Sequence, residues 1–444
     1  MKNRFMPRRV FLFMATIGAV CLSHNALAAA FQIWEQDAAS IGNYHAGRAA
    51  IAADASTAFY NPAGLVRLPN QEVVIGLVPI TTDFLYDGTI AVGIIEAEGE
   101  PAHTQAQGGT FNLVPDLHYS APILDNLVFG FSAVVPFGLK TSYGEKSIVR
   151  YAGTLTSLQV IDVSPSLGFA INDKLSVGFG LDVNKAKLEV DMVAILMDPV
   201  TDTDSINTVS SNIALGYHLG LLYQFTPKTR IGLAYSSKVT YHFRDGDSKF
   251  EGPLANLESG DGGVQESDEF ETNFTLPATT TLSIFHTINP TWDVMATVSY
   301  TQWHVFDEVI LTNVSGVDEE NEDSDHIIVH IPQNFKNTWN YSVGANYHVN
   351  EQWFIRGGLG YDQTPSNDED RNVQLPDADR YVAALGLHYQ ALKTLGFDLS
   401  WSHFFAGDTS LDVTQQVGAQ ITTTDGDVHG NADVYGFQVT WDIV

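Results

Sequence analysis

Cysteine is all but absent: the 444-residue chain has one, Cys21, and it falls inside an N-terminal leader. Lys2, Arg4, Arg8 and Arg9 make a basic start, Val10 to Leu22 an apolar run, and Ala26-Leu27-Ala28 a small-residue cleavage site. The run is too short to cross a bilayer, which takes roughly 20 residues. Val20, before Cys21, is bulkier than the residue lipoprotein processing favours. Cleavage after Ala28 leaves a chain without disulfides or thiol chemistry. Beyond the leader there is no apolar run of eighteen residues, which excludes helical membrane spans.

Basic residues are also scarce. The chain has 22 against 52 acidic ones, and loss of the four leader cations leaves 18 against 52, a net charge of −34. Such a surface repels nucleic acid. The acid clusters in blocks, notably Glu258 to Glu271 and Asp318 to Asp325, and the rest is charge-poor. That pattern fits solvated loops on a less polar body better than a uniformly acidic soluble protein. Signatures of catalysis are missing as well. There is no HExxH, no GxSxG and no phosphate-cradling loop, so no enzyme and no cofactor are expected. Isolated histidines such as His218, His286 and His348 are more simply polar groups facing an interior.

No Pro/Ser-rich linker divides the chain, and the pattern does not change after about residue 70. The expected division is a leader over 1–28, an N-terminal plug over 29–70 and one large domain over 71–444. Phe31 to Leu65 is rich in Gly, Ala and Ser, ends in Asn61-Pro62-Ala63, and is too small-featured to form its own core.

From about Gln71 onward the chain is one alternating segment after another. Trp339, Tyr341, Val343, Ala345 and Tyr347 share one parity, with Phe335 ahead of them, while Asn340, Ser342, Gly344 and Asn346 share the other. Leu215 to Phe225 and Leu395 to Trp401 split likewise. The second face is small and polar but seldom charged, and the apolar face carries aromatics at its ends. This points to lipid outside, aromatic girdles at the interfaces and a lumen within. The fold class is therefore all-β, a transmembrane antiparallel β-barrel of about fourteen strands (the pattern alone allows twelve to sixteen) plugged by a small N-terminal helical segment. Asn172-Asp173, Pro227-Lys228, Asn289-Pro290 and Asn350-Glu351 read as short periplasmic turns. One segment, Phe129 to Leu139, contains Pro136 and Gly138. Either the strand ends at Val135, or it continues through a kink that opens a gap in the wall for the plug to cover.

The N-terminal stretch closely resembles the plug, or hatch, of the FadL family of outer-membrane transporters for long-chain fatty acids and other hydrophobic compounds. The resemblance continues through Pro115 to Pro122 (PDLHYSAP), Tyr151-Ala152-Gly153, Gly360 to Pro365 (GYDQTP), Arg371 and Pro376 to Arg380 (PDADR), and covers essentially the whole mature chain. It implies passive uptake across a Gram-negative outer membrane. Substrate is captured between extracellular loops, passed to an apolar pocket, and released sideways into outer-membrane lipid through a kinked third strand gated by the hatch. On that resemblance Phe31 belongs to the mobile N-terminus, Asn61 and Pro62 to the hatch core, and Pro136 and Gly138 to the kink. The capture loops would be about 191–212, with Met192, Ile195 and Leu196, and about 245–272, with Phe250 and Leu254.

The expected partner is a long-chain fatty acid or another hydrophobic small molecule; a monoaromatic or alkane channel is the alternative, and a general porin or adhesin-like barrel a more remote one. A buried carboxylate needs a cation. Parity turns Lys336 and Arg356 inward as head-group contacts, unless each pairs with a lumen carboxylate such as Asp293 or Asp398. Val190 stands where fatty-acid transporters of the family tend to be basic, which keeps neutral hydrocarbons open. The last residue, Val444, replaces the usual terminal aromatic, so recognition by the barrel-assembly machinery is expected to be atypical.

Overall fold

The computed structural model describes residues 30–93, 95–99, 104–197, 200–255, 263–316, 326–418 and 420–443. The leader, the acidic block 318–325, the Leu196 side chain and Val444 lie outside the described residues.

Short helical turns come first: 3-10 turns at Ser40–Asn43 and Pro62–Arg67, with α1 (Arg48–Ile51) and α2 (Thr57–Tyr60) between them. The strands then begin: β1 Gln71–Val92, β2 Ile95–Glu96, β3 Gln105–Gln107, β4 Phe111–Leu124, β5 Leu127–Ser142, β6 Leu155–Ala170 and β7 Leu175–Met197. Next come β8 Val200–Ser210, β9 Ala214–Thr226, β10 Thr229–Ser236, β11 Val239–Glu251, β12 Val264–Leu276 and β13 Thr279–Asn289. The rest are β14 Trp292–Thr301, β15 Glu308–Ser315, β16 His326–Pro332, β17 Thr338–His348, β18 Trp353–Asp362, β19 Arg380–Leu392, β20 Leu395–Ala406, β21 Thr409–Val417 and β22 Gln420–Ile443.

Every pairing between strands is antiparallel, and the sheet closes where Gln71 of β1 meets Ile443 of β22. Along the end nearer the short turns the circuit runs β1, β4, β5, β6, β7, β9, β10, β13, β14, β17, β18, β19, β20, β22, which is fourteen strands. At the other end β8, β11, β12, β15, β16 and β21 pair in sequence between β7 and β22. The longest closed path, sixteen strands, goes out along these upper segments and returns along the lower ones. It encloses a line of breaks at 211–213, 237–238, 277–278, 302–307, 333–337 and 407–408.

The alternation has its expected cause. Leu215, Tyr217, Leu219, Leu221 and Tyr223 are exposed on the outside, while inward positions are Gly, Ser, Thr, Asn and His. Aromatics ring both edges: Tyr217–Tyr235 and Tyr300–Trp339 at one, Trp292–Tyr347 and Trp353–Tyr389 at the other. Three of the short turns share one device. The Oδ1 atoms of Asn172, Asn289 and Asn350 each accept the backbone N–H groups two and three residues on, at 2.8–3.1 Å, so the side chain closes the turn.

Two expectations about the extracellular side are corrected. The stretches 191–212 and 245–272 are chiefly strands, β7 with β8 and β11 with β12, joined by β8–β11 pairing. Their acidic residues alternate with Thr, Ser and Ile, so the charge lies largely along the outward face of a ribbon. Likewise Phe335 is buried and Lys336 exposed. The break at 333–337, with Asn334 at a φ of 46°, resets the parity before β17 begins.

Candidate functional site

The plug occupies the lumen because the wall offers it glycine. A Cβ added at Gly232 would stand 1.7 Å from Ala49 O, at Gly220 2.0 Å from Asn61 Oδ1, and at Gly358 2.2 Å from Asn43 O. Plug backbone, and at Gly220 the Asn61 side chain, therefore packs directly on wall backbone, which a wall side chain would prevent. Polar clamps add to this. Asn61 is fully buried, donates to Ala49 O (2.6 Å) and Leu221 O (3.1 Å), and accepts from Ala63 N. Pro62 opens the next 3-10 turn, where its missing N–H costs nothing. Two wall histidines reach plug carbonyls: His118 Nε2 to Gln36 O at 2.7 Å and His218 Nε2 to Ala58 O at 2.9 Å. Their other nitrogens are held by Ser132 and Asp182.

The wall is discontinuous between β4 and β5. Their pairing ends at Leu117↔Ala133, although β4 extends back to Phe111 and β5 on to Ser142. The edges meet again where Thr110 Oγ1 donates to Lys140 O and Ser142 N to Gly108 O. Six residues of β4 thus lack a β5 partner, a window about 20 Å tall. Pro115 and Pro136 stand on its two edges and each removes a donor. The strand does not end at Val135: β5 continues through Pro136, with a register shift against β6 between Val134 and Phe137.

Backbone groups freed on β5 find partners in the plug. Ile33 N donates to Pro136 O and Gly138 N to Phe31 O, both at 3.0 Å. The Gln36 side chain acts as a further strand residue: its Nε2 donates to Val135 O (2.8 Å) and its Oε1 accepts Val135 N (3.0 Å). Residues 31–36 therefore stand in for the missing stretch of ladder. Nothing in the alternation singles out Gln36; the prolines on both edges are the available signal.

Three cavities surround this segment. Above Phe31 lies an apolar one of about 60 Å³, walled by Leu158, Leu188, Val190, Phe274, Ile331 and Leu375. Phe31 closes its floor, with ring centroids 5.1 Å from Trp303 and 5.3 Å from Phe306. Its polar neighbours are Thr156, Gln333, Asn372 and Gln374, and among the described residues no charged group lines it. Beside it, at the window, is a larger cavity of about 330 Å³ that shares Phe31, Leu139 and Leu158 and reaches Leu113, Lys140 and Arg380. Below the segment is a mixed chamber of about 90 Å³ bordered by Arg48, Asp162, Asp182 and Asn184 and by Phe59, Val239 and Tyr241.

The roof of the apolar cavity comes from the connection between β18 and β19, residues 363–379, which folds inward. Tyr143 Oη donates to Val373 O, and Thr141 Oγ1 to Gln374 O. Asp377 accepts the Ala30 N–H at 2.7 Å, tying this connection to the plug's first residues. Burial pushes the Asp377 carboxyl up to about 6, against the pull of nearby Arg380.

The expected site residues separate. Phe31, Asn61, Pro62, Pro136 and Gly138 gather at the plug and window. Arg356 points inward but is paired with Asp398, which His388 also contacts, and it borders a pocket on the short-turn side of the plug with Asp37 and Asp54. Lys336 is exposed beside a strand break, so its expected inward placement does not hold. Met192, Ile195 and Phe250 are buried in the upper ribbons, and Leu254 is half-buried with its N–H on Thr203 Oγ1. None of these borders the apolar cavity.

A family model described as "Outer membrane protein transport protein (OMPP1/FadL/TodX)" matches residues 19–443. A long-chain fatty acid transport protein of Escherichia coli O6:H1 is 26% identical over 413 residues, covering 87% of this chain and 89% of the relative. Among solved structures, a Pseudomonas aeruginosa FadL homologue superposes with a TM-score of 0.81 at 23% identity, over 93% of this chain and all of that one. The Pseudomonas putida toluene transporter TodX gives 0.66 at 19% identity, over 92% and 98%.

Proposed function

Since the chain belongs to the OMPP1/FadL/TodX family of outer-membrane transporters of hydrophobic compounds, we propose that it takes up long-chain fatty acids passively and releases them sideways through the β4–β5 window. The observation that carries this reading is the window itself, closed by plug residues 31–36 rather than by a neighbouring strand. An acyl chain in the apolar cavity gains about 0.8 kcal/mol per buried CH₂. Leaving into water forfeits that gain, whereas leaving into lipid replaces one apolar contact by another. The adjoining cavity supplies a cation that the apolar one lacks, Lys140 at its outer end, whereas Arg380 within it is paired with Asp362. A chain lying across both cavities meets apolar walls along its tail and positive charge at its carboxylate. The curated relatives named as long-chain fatty acid transporters support the same choice.

The alternative is a neutral hydrocarbon, and the uncharged lining of the apolar cavity favours it. Equilibrium binding of palmitate and of toluene to the detergent-purified mature barrel separates the two. Palmitate binding that weakens at least fivefold in Lys140→Ala, and is indifferent to Lys336→Ala, supports the fatty-acid reading. Toluene binding without palmitate binding replaces it with a hydrocarbon channel. Failure of both ligands, with Leu158→Trp making no difference, removes the cavity from the function.

A further inference from the structure

Three outward lysines fall on one arc of the barrel, while Lys140 and Lys336 stand singly elsewhere around the wall and Lys174, Lys228 and Lys393 lie at the short turns. On β7 the outward residues run Phe179, Leu181 and Val183, then change to Lys185 and Lys187. Across from them the outward apolar residues Tyr217, Leu215 and Ile213 of β9 and its flank give way to Asn212 and Ser210. On the next strand Tyr235 of the girdle is followed by Lys238 at the break before β11, then by exposed Thr240 and His242. All these changes fall where the membrane-facing apolar surface ends on the side away from the short turns.

Lys185 and Lys238 make no ion pair among the described residues. Lys187 pairs with exposed Glu189 at 2.5 Å. The opposite side of the barrel at this edge is acidic, with Asp83 on β1, Asp433 on β22 and Asp408 between β20 and β21. A mature chain of net charge −34 would repel an anionic membrane surface, yet this arc carries three cations, neutral hydroxyls and amides, and one paired carboxylate.

We propose that the arc formed by Lys185, Lys187 and Lys238 binds the phosphate groups of an anionic phosphorylated lipid of the outer leaflet. The argument joins two observations. The cations and hydrogen-bonding groups lie at head-group level, and directly beneath them is a continuous apolar face, with Phe179, Leu181, Ile213, Leu215 and Leu233 all at least 40% exposed, that receives the acyl chains. A free anion would use the lysines and leave the apolar face unused; a lipid uses both. The arc begins two strands from the window, so the bound lipid would border the place where a ligand emerges. Lys140 stands nearer the window and is left out of the assignment. The inference stands whether or not the window is an exit.

Native mass spectrometry of the full mature barrel in detergent tests it, with lipid A bisphosphate, its dephosphorylated form and inorganic phosphate as probes. The expected result is retention of the bisphosphorylated lipid. The Lys185→Gln/Lys187→Gln/Lys238→Gln variant should lose on the order of a hundredfold in affinity, at about a factor of five for each lysine near the surface. A Lys174→Gln/Lys228→Gln/Lys393→Gln variant, altered at the short-turn end, should retain it. Equal binding of the dephosphorylated lipid, or a loss below tenfold in the first variant, overturns the assignment. So does displacement by millimolar inorganic phosphate, which would leave an anion site and no lipid site. Should the triple variant not assemble, the wild-type barrel decides: lipid released at 1 M salt supports the assignment, and lipid retained there refutes it.

Discussion

Gln36 is the most exacting test of how the wall is closed. Its side chain replaces two ladder bonds of β5, accepting Val135 N at 3.0 Å and donating to Val135 O at 2.8 Å, and donates also to Ile33 O at 2.9 Å. Gln36→Met keeps the volume and removes all three. Val135 is buried, so its N–H and C=O are left without partners. Each such group costs about 1–3 kcal/mol. Taking the low end for two groups gives about 2 kcal/mol, which raises the population with residues 31–36 undocked roughly thirtyfold. Hydrogen exchange of peptides spanning 31–37 and 133–139 should accelerate by that order, while exchange in β17 to β20 stays unchanged. Uptake of a hydrophobic probe into barrel-containing liposomes should rise if undocking limits release. Unchanged protection of both peptides in a correctly assembled variant would refute the reasoning, because the two bonds would then not be closing the window.

Asn61→Ala removes two donated bonds and one accepted bond from a fully buried site; expected are a plug sensitive to limited proteolysis and a barrel with normal heat-modifiable gel mobility. Gly232→Val drives a side chain into Ala49 O, so the plug should shift and planar-bilayer conductance should rise above wild type; equal conductance would mean the plug adapts. Pro136→Val restores a donor to the window edge, and slower exchange at 133–136 with reduced uptake is the expected pair of outcomes. The docked plug should also respond to pH. Burial raises Glu35 to about 7 against the opposing pull of Arg380, and a carboxyl freed to solvent returns to about 4.5, so the docked form holds a proton that the freed form lacks between those values. Docking is then strongest below about pH 4.5 and weakens as pH rises through 7; exchange of the 31–37 amides, corrected for intrinsic rates, should be faster at about pH 8 than at about pH 5.

The barrel is legible in the sequence because its period is two and its turns announce themselves. Leu215 to Phe225 alternates with Leu222 as its one apolar inward residue, and Asn172, Asn289 and Asn350 each mark a hairpin with the side chain that closes it. The plug is legible as a stretch too small-featured to stand alone, although its sockets, Gly220, Gly232 and Gly358, read only as small inward residues. Parity misplaces Lys336 because it counts residues, and a five-residue break reverses it. The acidic ribbons around Met192 and Phe250 read as loops when charge clustering is weighed above the Thr/Asp alternation of 200–208, which is a strand pattern. Residues 363–379 stand out as a recurrent motif, but no period predicts that a loop folds inward to roof a cavity. Gln36 is illegible for a deeper reason: a side chain serving as backbone leaves no pattern in sequence.

The order of the cavities gives the site its direction. Directly beneath the apolar cavity stands an aromatic septum of Phe31, Phe137 and Trp303, and beneath that a chamber bordered by Asp162, Asp182, Asn184 and Arg48. That chamber mixes Asp162, Asp182 and Arg48 with Phe59, Val239 and Tyr241, so an acyl chain driven straight down would meet buried charge along part of its length. The sideways route through the larger cavity keeps Leu113, Val114, Leu139 and Leu158 along the chain and ends at the exposed Phe111 and Leu113 beside lipid. On the proposed sideways route, the barrier facing a ligand that has reached Phe31 is the short run of hydrogen bonds between residues 31–36 and 135–138. Transport through this barrel should accordingly be limited by that run, and variants deep in the lower chamber, such as Asp162→Asn, should leave uptake rates within about twofold of wild type.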